Sequence, residues 1–170
     1  KGGPRPDFGV NYTYFTGQDG FVRKMAPMEG KGPTWLGAML VWKDRKGKEH
    51  LAATYVKVRQ SMEVYEAGLC EFNSDKEVFE KRFTFPNPKS LRPNGHPLRH
   101  RLDGRDWVYC GSTLPDMRFP DNYESWLDPS TYEPVEVDAN FTDAVGNEVK
   151  RHNGHVAWNP SRKRWISIFT

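Results

Sequence analysis

Residues 152–169 read His152-Asn153-Gly154-His155-Val156-Ala157-Trp158, then Asn159-Pro160-Ser161-Arg162-Lys163-Arg164, then Trp165-Ile166-Ser167-Ile168-Phe169. Two aromatic-rich apolar runs flank a polar turn cluster, the pattern of a β-hairpin. The same pattern recurs twice upstream. Met39-Leu40-Val41-Trp42 passes through residues 44–49 into His50-Leu51-Ala52-Ala53-Thr54-Tyr55, and Leu102-Asp103-Gly104-Arg105-Asp106 leads into Trp107-Val108-Tyr109-Cys110. The second strands begin at His50, Trp107 and Trp165, so the repeat is 57 and then 58 residues long.

A second class of hairpin alternates with the first. Asn11-Tyr12-Thr13-Tyr14-Phe15-Thr16 turns at Gly17-Gln18-Asp19-Gly20 into Phe21-Val22-Arg23-Lys24-Met25, and residues 66–72 turn at 73–76 into 78–83. A third copy is expected from Tyr123-Glu124-Ser125-Trp126-Leu127, turning at Asp128-Pro129-Ser130 into residues 132–137. Two hairpins per repeat give four strands per repeat, which predicts an all-β chain of four-stranded antiparallel β-propeller blades. The organisation expected within residues 1–170 is one propeller domain or a segment of one. It comprises an outer hairpin at about 11–25, blades at about 34–85 and 94–137, and an inner hairpin at about 152–170. Residues 56–66 offer the one stretch that could be read as a helix. Propellers close with about four to eight blades, so three blades' worth of strands predicts a segment of a longer protein. A twelve-stranded sandwich and self-assembly into a complete ring are the alternatives.

Composition agrees with many short strands packed through flat side chains. Aromatic residues make up 14% of the chain, with 6 Trp, and 15 Gly and 13 Pro punctuate the apolar runs. The 25 Lys and Arg are interleaved with 22 Asp and Glu, for a net charge of +3, which gives no reason to expect a nucleic-acid partner. No apolar run approaches the ~20 residues of a membrane-spanning helix. Cys70 and Cys110 both fall in apolar strand-like runs, where buried free thiols are expected rather than a disulfide. The compartment stays open.

In a propeller the first strand of each blade lines the axis, and the loops feeding it form the ligand face. Those upstream ends lie at Gly37, Gly95 and Gly154. Two carry the same tripeptide, Asn94-Gly95-His96 and Asn153-Gly154-His155. A repeated glycine fits crowded inner strands, whereas Asn and His beside it are polar groups that need partners or ligands. His96, His100, His152 and His155 cluster here, but without metal-ligand spacing, and no metal or other cofactor is expected.

The period and the Asn-Pro-x-Arg-Lys-x-Trp turn of residues 159–165 resemble those of the five-bladed propeller glycoside hydrolases of the arabinanase and xylosidase type and their sugar-binding relatives. The resemblance covers most of the chain through blade pattern rather than a signature motif. It implies a glycan or oligosaccharide partner, with the rest of the propeller as the other, and a secreted or periplasmic setting. It also implies three acidic residues near the axis, two of them flanking the glycosidic bond. The inner strands, residues 34–42, 95–101 and 154–158, contain no Asp or Glu. The acids would then sit on feeding loops, with Glu29 in the place of the family's Glu-Gly and Asp143 and Glu148 before the third inner strand. Trp35, Arg99 and Arg151 suit sugar recognition through an indole face and guanidinium donors. Asn94, His96, His152, Asn153 and His155 complete the expected binding set, while Trp42, Trp107, Trp158 and Trp165 are read as blade packing. Asn11-Tyr12-Thr13 and Asn140-Phe141-Thr142 match the glycosylation tripeptide. Two functions follow: a glycoside hydrolase acting in an axial pocket, or a non-catalytic glycan-binding or scaffold propeller.

Overall fold

A computed structural model describes residues 13–137 and 139–170. Three antiparallel sheets follow one another along the chain. The first contains β1 (Thr34–Lys43), β2 (Glu49–Val58), β3 (Val64–Asn73) and β4 (Val78–Thr84) in the order β1-β2-β3-β4. The second contains β5 (Leu98–Leu102), β6 (Arg105–Cys110), β7 (Met117–Pro120) and β8 (Glu133–Pro134), again in chain order. The third is the hairpin β9 (Gly154–Asn159) and β10 (Arg164–Phe169). The all-β, four-strand repeat read from the sequence is present, and residues 56–66 form strand, turn and strand rather than helix. Of the outer hairpin expected at 11–25, a Thr16–Val22 bridge is formed, and Asn11 and Tyr12 lie outside the described residues.

The third copy of the outer hairpin is the correction. Tyr123–Leu127 is a short helix, α1, followed by a 3-10 turn at Pro129–Thr131, and β8 is two residues long. Tyr123, Trp126 and Leu127 are spaced three and four apart, the period of a helix rather than a strand. The Asn122 side chain caps α1 by accepting from Ser125 N at 2.8 Å, and Asp128 caps the 3-10 turn. The helix delivers Trp126 into the space between the first two sheets, where it is fully buried. Pro134 in β8 sits at the sheet edge, where a residue with no N–H belongs.

That space holds the main core. Ala38, Trp42, Ala52, Ala67, Leu69 and Phe85 from the first sheet side meet Val108, Cys110, Met117, Phe119, Tyr123, Trp126 and Tyr132 from the second. Trp42 lies 6.0 Å from Phe119 and 5.8 Å from Trp126, ring centre to ring centre. Each large side chain buried in this way contributes about 1.5–3 kcal/mol. Cys70 and Cys110 are buried free thiols. Burial pushes both to a pKa of about 12.

A bulge between Gly37 and Leu40, with Ala38 at a φ of 38°, decides which face each β1 side chain takes. Before it, Trp35 pairs with Val56, which packs against the core toward the second sheet; beyond it, Leu40 and Trp42 take that side. Met39 and Val41 are left exposed on the opposite side. Across the other interface His100 packs 4.4 Å from Trp158 and 5.1 Å from Trp165, and the Ser167 hydroxyl donates to the carbonyl of Thr113.

These contacts fix direction. His96, upstream of β5, meets His155 at the start of β9, and His100, farther along β5, meets Trp158, farther along β9. Arg99 of β5 reaches Val41 and Trp42 of β1. The Arg45–Glu124 pair and the His50–Tyr123 stack hold the turn after β1 beside α1, and the Asp121 N to Asp106 O bond holds the start of α1 at the β5–β6 turn, so the first strands of the three sheets are neighbours running the same way. Their upstream ends share one face of the molecule, and the turns that follow them share the other. Among the described residues no helix is long and apolar enough to cross a membrane.

Candidate functional site

At the upstream face, two glycines bring backbone against backbone. Gly95, at φ +61°, bridges Gly111, whose φ is +152°, and an added Cβ on Gly95 would lie 2.2 Å from the Gly111 carbonyl oxygen. Only glycine tolerates that approach. Gly111 N donates to Asn94 O at 3.1 Å and His96 N to Gly111 O at 3.3 Å. This anchors the Asn94-Gly95-His96 tripeptide and leaves the His96 ring exposed. Gly154 likewise starts β9 opposite Phe169, with the neighbouring backbone held by His152 N to Thr170 O and Thr170 N to Asn153 O. The result is an exposed edge-to-face pair of imidazoles, His96 and His155, with ring centres 4.6 Å apart.

Around this pair the expected residues divide. Asn94 donates its amide to both carboxylate oxygens of Asp116, at 3.1 and 3.3 Å. Arg151 stacks on Phe141 at 5.4 Å and lines a cavity of about 260 Å³ with Thr113, Asp116 and Val135. His152 and Asn153 are exposed at the same end. Trp35 is 45% exposed near the start of β1. Arg99 is committed elsewhere. Its Nε donates to both oxygens of Asp121 at 3.0 Å, another guanidinium nitrogen donates to Val41 O at 2.9 Å, and its plane lies over Trp42, so it ties the first two sheets together.

The expected acids do not converge. Asp143 closes its own turn: one carboxylate oxygen accepts from Val145 N and Asn147 N, the other from the Asn147 amide. Those bonds, Asn147's first, hold its pKa below the usual carboxylate value. Glu148 is exposed and forms an antiparallel bridge with Thr142. Glu29 is exposed on a cavity of about 680 Å³ shared with Val78, Phe79 and Lys81, which places it against the outermost strand of the first sheet. Its loop is pinned by Lys57, a buried ammonium that donates to Met28 O, Gly30 O and Gly32 O at 3.3, 3.2 and 3.0 Å.

Two features escaped the sequence reading. Asp116 is an acid at the upstream face, on the loop between β6 and β7; nothing in its local sequence marks it, and only the β5–β6 pairing carries it there. The other lies at the opposite end of the first sheet. His50 is nearly buried, stacked 4.2 Å from Tyr123, with Nδ1 2.5 Å from Glu71 Oε1 and Nε2 3.2 Å from Asp44 Oδ2. Glu71 also accepts from the Tyr123 hydroxyl at 2.6 Å and pairs with Arg82 at 3.3 Å. Burial would raise the Glu71 pKa, but the bonds from His50 and Tyr123 and the Arg82 charge hold it below the usual value. A cavity of about 410 Å³ adjoins this network. Among the described residues no group of three or more His, Cys, Asp or Glu side chains is arranged to hold a metal ion.

Comparison with protein-family models, with curated proteins and with solved structures returns no match.

Proposed function

We propose that the chain is part of a β-propeller that binds glycans at the upstream face of its inner strands without hydrolysing them. The observation that carries this reading is the pairing of His96 and His155. Neighbouring inner strands present two exposed imidazoles side by side, while Asp143, Glu148 and Glu29 are each exposed or committed elsewhere. Propeller closure is part of the proposal. Two four-stranded sheets and a hairpin stacked in chain order support it, as do exposed Met39 and Val41 on one outward face and Ile166 and Ile168 on the other, where further blades would pack. Imidazole and guanidinium groups at this face favour a glycan bearing uronate carboxylates, with Trp35 available for stacking.

Isothermal titration with oligogalacturonate and with xylo-oligosaccharides tests the reading. Binding that weakens about tenfold or more in His155→Ala and Arg151→Gln, by the loss of hydrogen bonds to charged groups, supports it; unchanged binding in both variants removes the upstream face from recognition. One observation favours the hydrolase as a second reading, since Asp116 is held by Asn94 at that face. Hydrolysis needs a second carboxyl about 5–9.5 Å away. Turnover of either glycan that Asp116→Asn abolishes would establish it, and absence of turnover leaves binding alone.

A further inference from the structure

The three turns that follow the inner strands, at residues 43–49, 101–106 and 159–164, lie together at the face opposite the candidate glycan site, and each is rich in Lys or Arg. Their acids are largely spent. The Asp44 carboxylate accepts from Lys46 N, Lys48 N and His50, Glu49 pairs with Lys43 at 3.5 Å, and Asp106 pairs with Arg101 at 3.5 Å. Arg45 pairs with Glu124 of α1 at 3.1 Å. Among the described residues this leaves Lys46, Lys48, Arg105, Arg162, Lys163 and Arg164 exposed and without an ion-pair partner, against Asp103 as the remaining carboxylate of the turns.

The turns are built rather than loose. Asp44 and Asn159 each accept backbone amides across their own turn, Gly47 and Lys163 take positive φ at the return, and Asp103-Gly104 has positive φ at both residues, a tight hairpin reversal. Packed sheets stand about 10 Å apart, so the cations form an arc with one group every sheet. In sequence the basic residues are dispersed, and the repeat gathers them on one face.

We propose that this turn face binds an acidic polysaccharide, carrying sulfate or uronate groups, along the arc of unpaired cations. The β3–β4 turn at the same end adds Glu77 and Glu80, paired with Arg23 and Lys76, and Asp75, which shares a cavity with Lys48; the unpaired cations outnumber the unpaired carboxylates and attract a polyanion by releasing its condensed counterions. None of the three turns presents an exposed aromatic side chain on which bases could stack, and α1 is too short to enter a DNA major groove, which favours a polysaccharide over a nucleic acid. The site is separate from the upstream face, and its occupancy does not depend on the function proposed there.

The test is titration of the intact chain with a size-defined heparin oligosaccharide over a series of salt concentrations. Lys46→Gln/Lys48→Gln and Arg162→Gln/Lys163→Gln/Arg164→Gln are compared with a control, Lys24→Gln/Lys150→Gln, that removes exposed charge elsewhere. Each turn variant is expected to weaken binding about tenfold or more and to flatten its salt dependence by about one ion per removed contact, with the control unchanged. No binding by the parent, or an equal loss in the control, overturns the proposal. Tighter binding of duplex DNA of matched charge overturns the assignment to a polysaccharide.

Discussion

Glu71 takes three partners that the chain brings from separate places: His50 from β2, Arg82 from β4 and Tyr123 from α1. Its folded pKa is depressed below the ordinary value of 4.5. A depressed carboxyl contributes stability that is present above the unfolded value and is lost as pH falls through the folded one. Glu71→Gln is therefore expected to lower stability at neutral pH by about 1–3 kcal/mol, the cost of leaving buried donors poorly matched. It should also flatten the loss of stability below about pH 4.5, read by urea unfolding across that range. The thiols give a second check at this scale. With pKa values of about 12, Cys70 and Cys110 are expected to resist iodoacetamide at mildly alkaline pH in the folded protein and to react once it is unfolded. Rapid alkylation of either in the native state would contradict their burial.

Among the elements, the hairpins were legible because their turns carry chemistry that local sequence shows. Asp44 and Asp143 close the same kind of turn: each accepts two backbone amides on one carboxylate oxygen, with Gly47 and Gly146 at positive φ three residues on. That likeness gives the Asp143 carboxylate a role as a turn staple. Asp143→Asn, which keeps an accepting oxygen, should retain the melting temperature within about 2 °C, whereas Asp143→Ala loses about 0.5–1.5 kcal/mol. The α1 helix was not legible as a helix. Five residues hold too little period to separate it from a strand, and its capping by Asn122 is read only once Trp126 is seen between the sheets. The bulge at Gly37 was hidden for a similar reason, because register is a property of the pair of strands. Gly95→Ala is expected to cost 2 kcal/mol or roughly more, since its Cβ would meet the Gly111 carbonyl in a backbone region that alanine avoids. Unchanged thermal stability would mean that the bridge is not made.

For the whole molecule, the repeat of 57 and 58 residues foretold the two four-stranded sheets, and Trp42 and Trp158 sit between sheets. Trp42→Ala should remove about 3–5 kcal/mol by opening a cavity between the first two sheets, measured by denaturant unfolding. The candidate site was legible in part. The repeated Asn-Gly-His tripeptides do bring His96 and His155 together, because equivalent repeat positions fall beside the first strands of neighbouring sheets. The tie that Arg99 makes between the first two sheets was not legible, because its partners, Asp121 and Val41, are 22 and 58 residues away in sequence. The basic turn face stayed invisible for the same reason: its charges meet only through the stacking of sheets.

The five histidines divide by place: His96, His152 and His155 at the upstream face, His100 between the second and third sheets, and His50 in the buried network beneath Tyr123. Their ring-proton NMR signals during titration with oligogalacturonate test glycan binding at the upstream face most directly. The account predicts that the signals of His96 and His155 move together and saturate while that of His50 stays fixed. Signals of His96 and His155 that do not move at saturating glycan, or a shift led by His50, would contradict it.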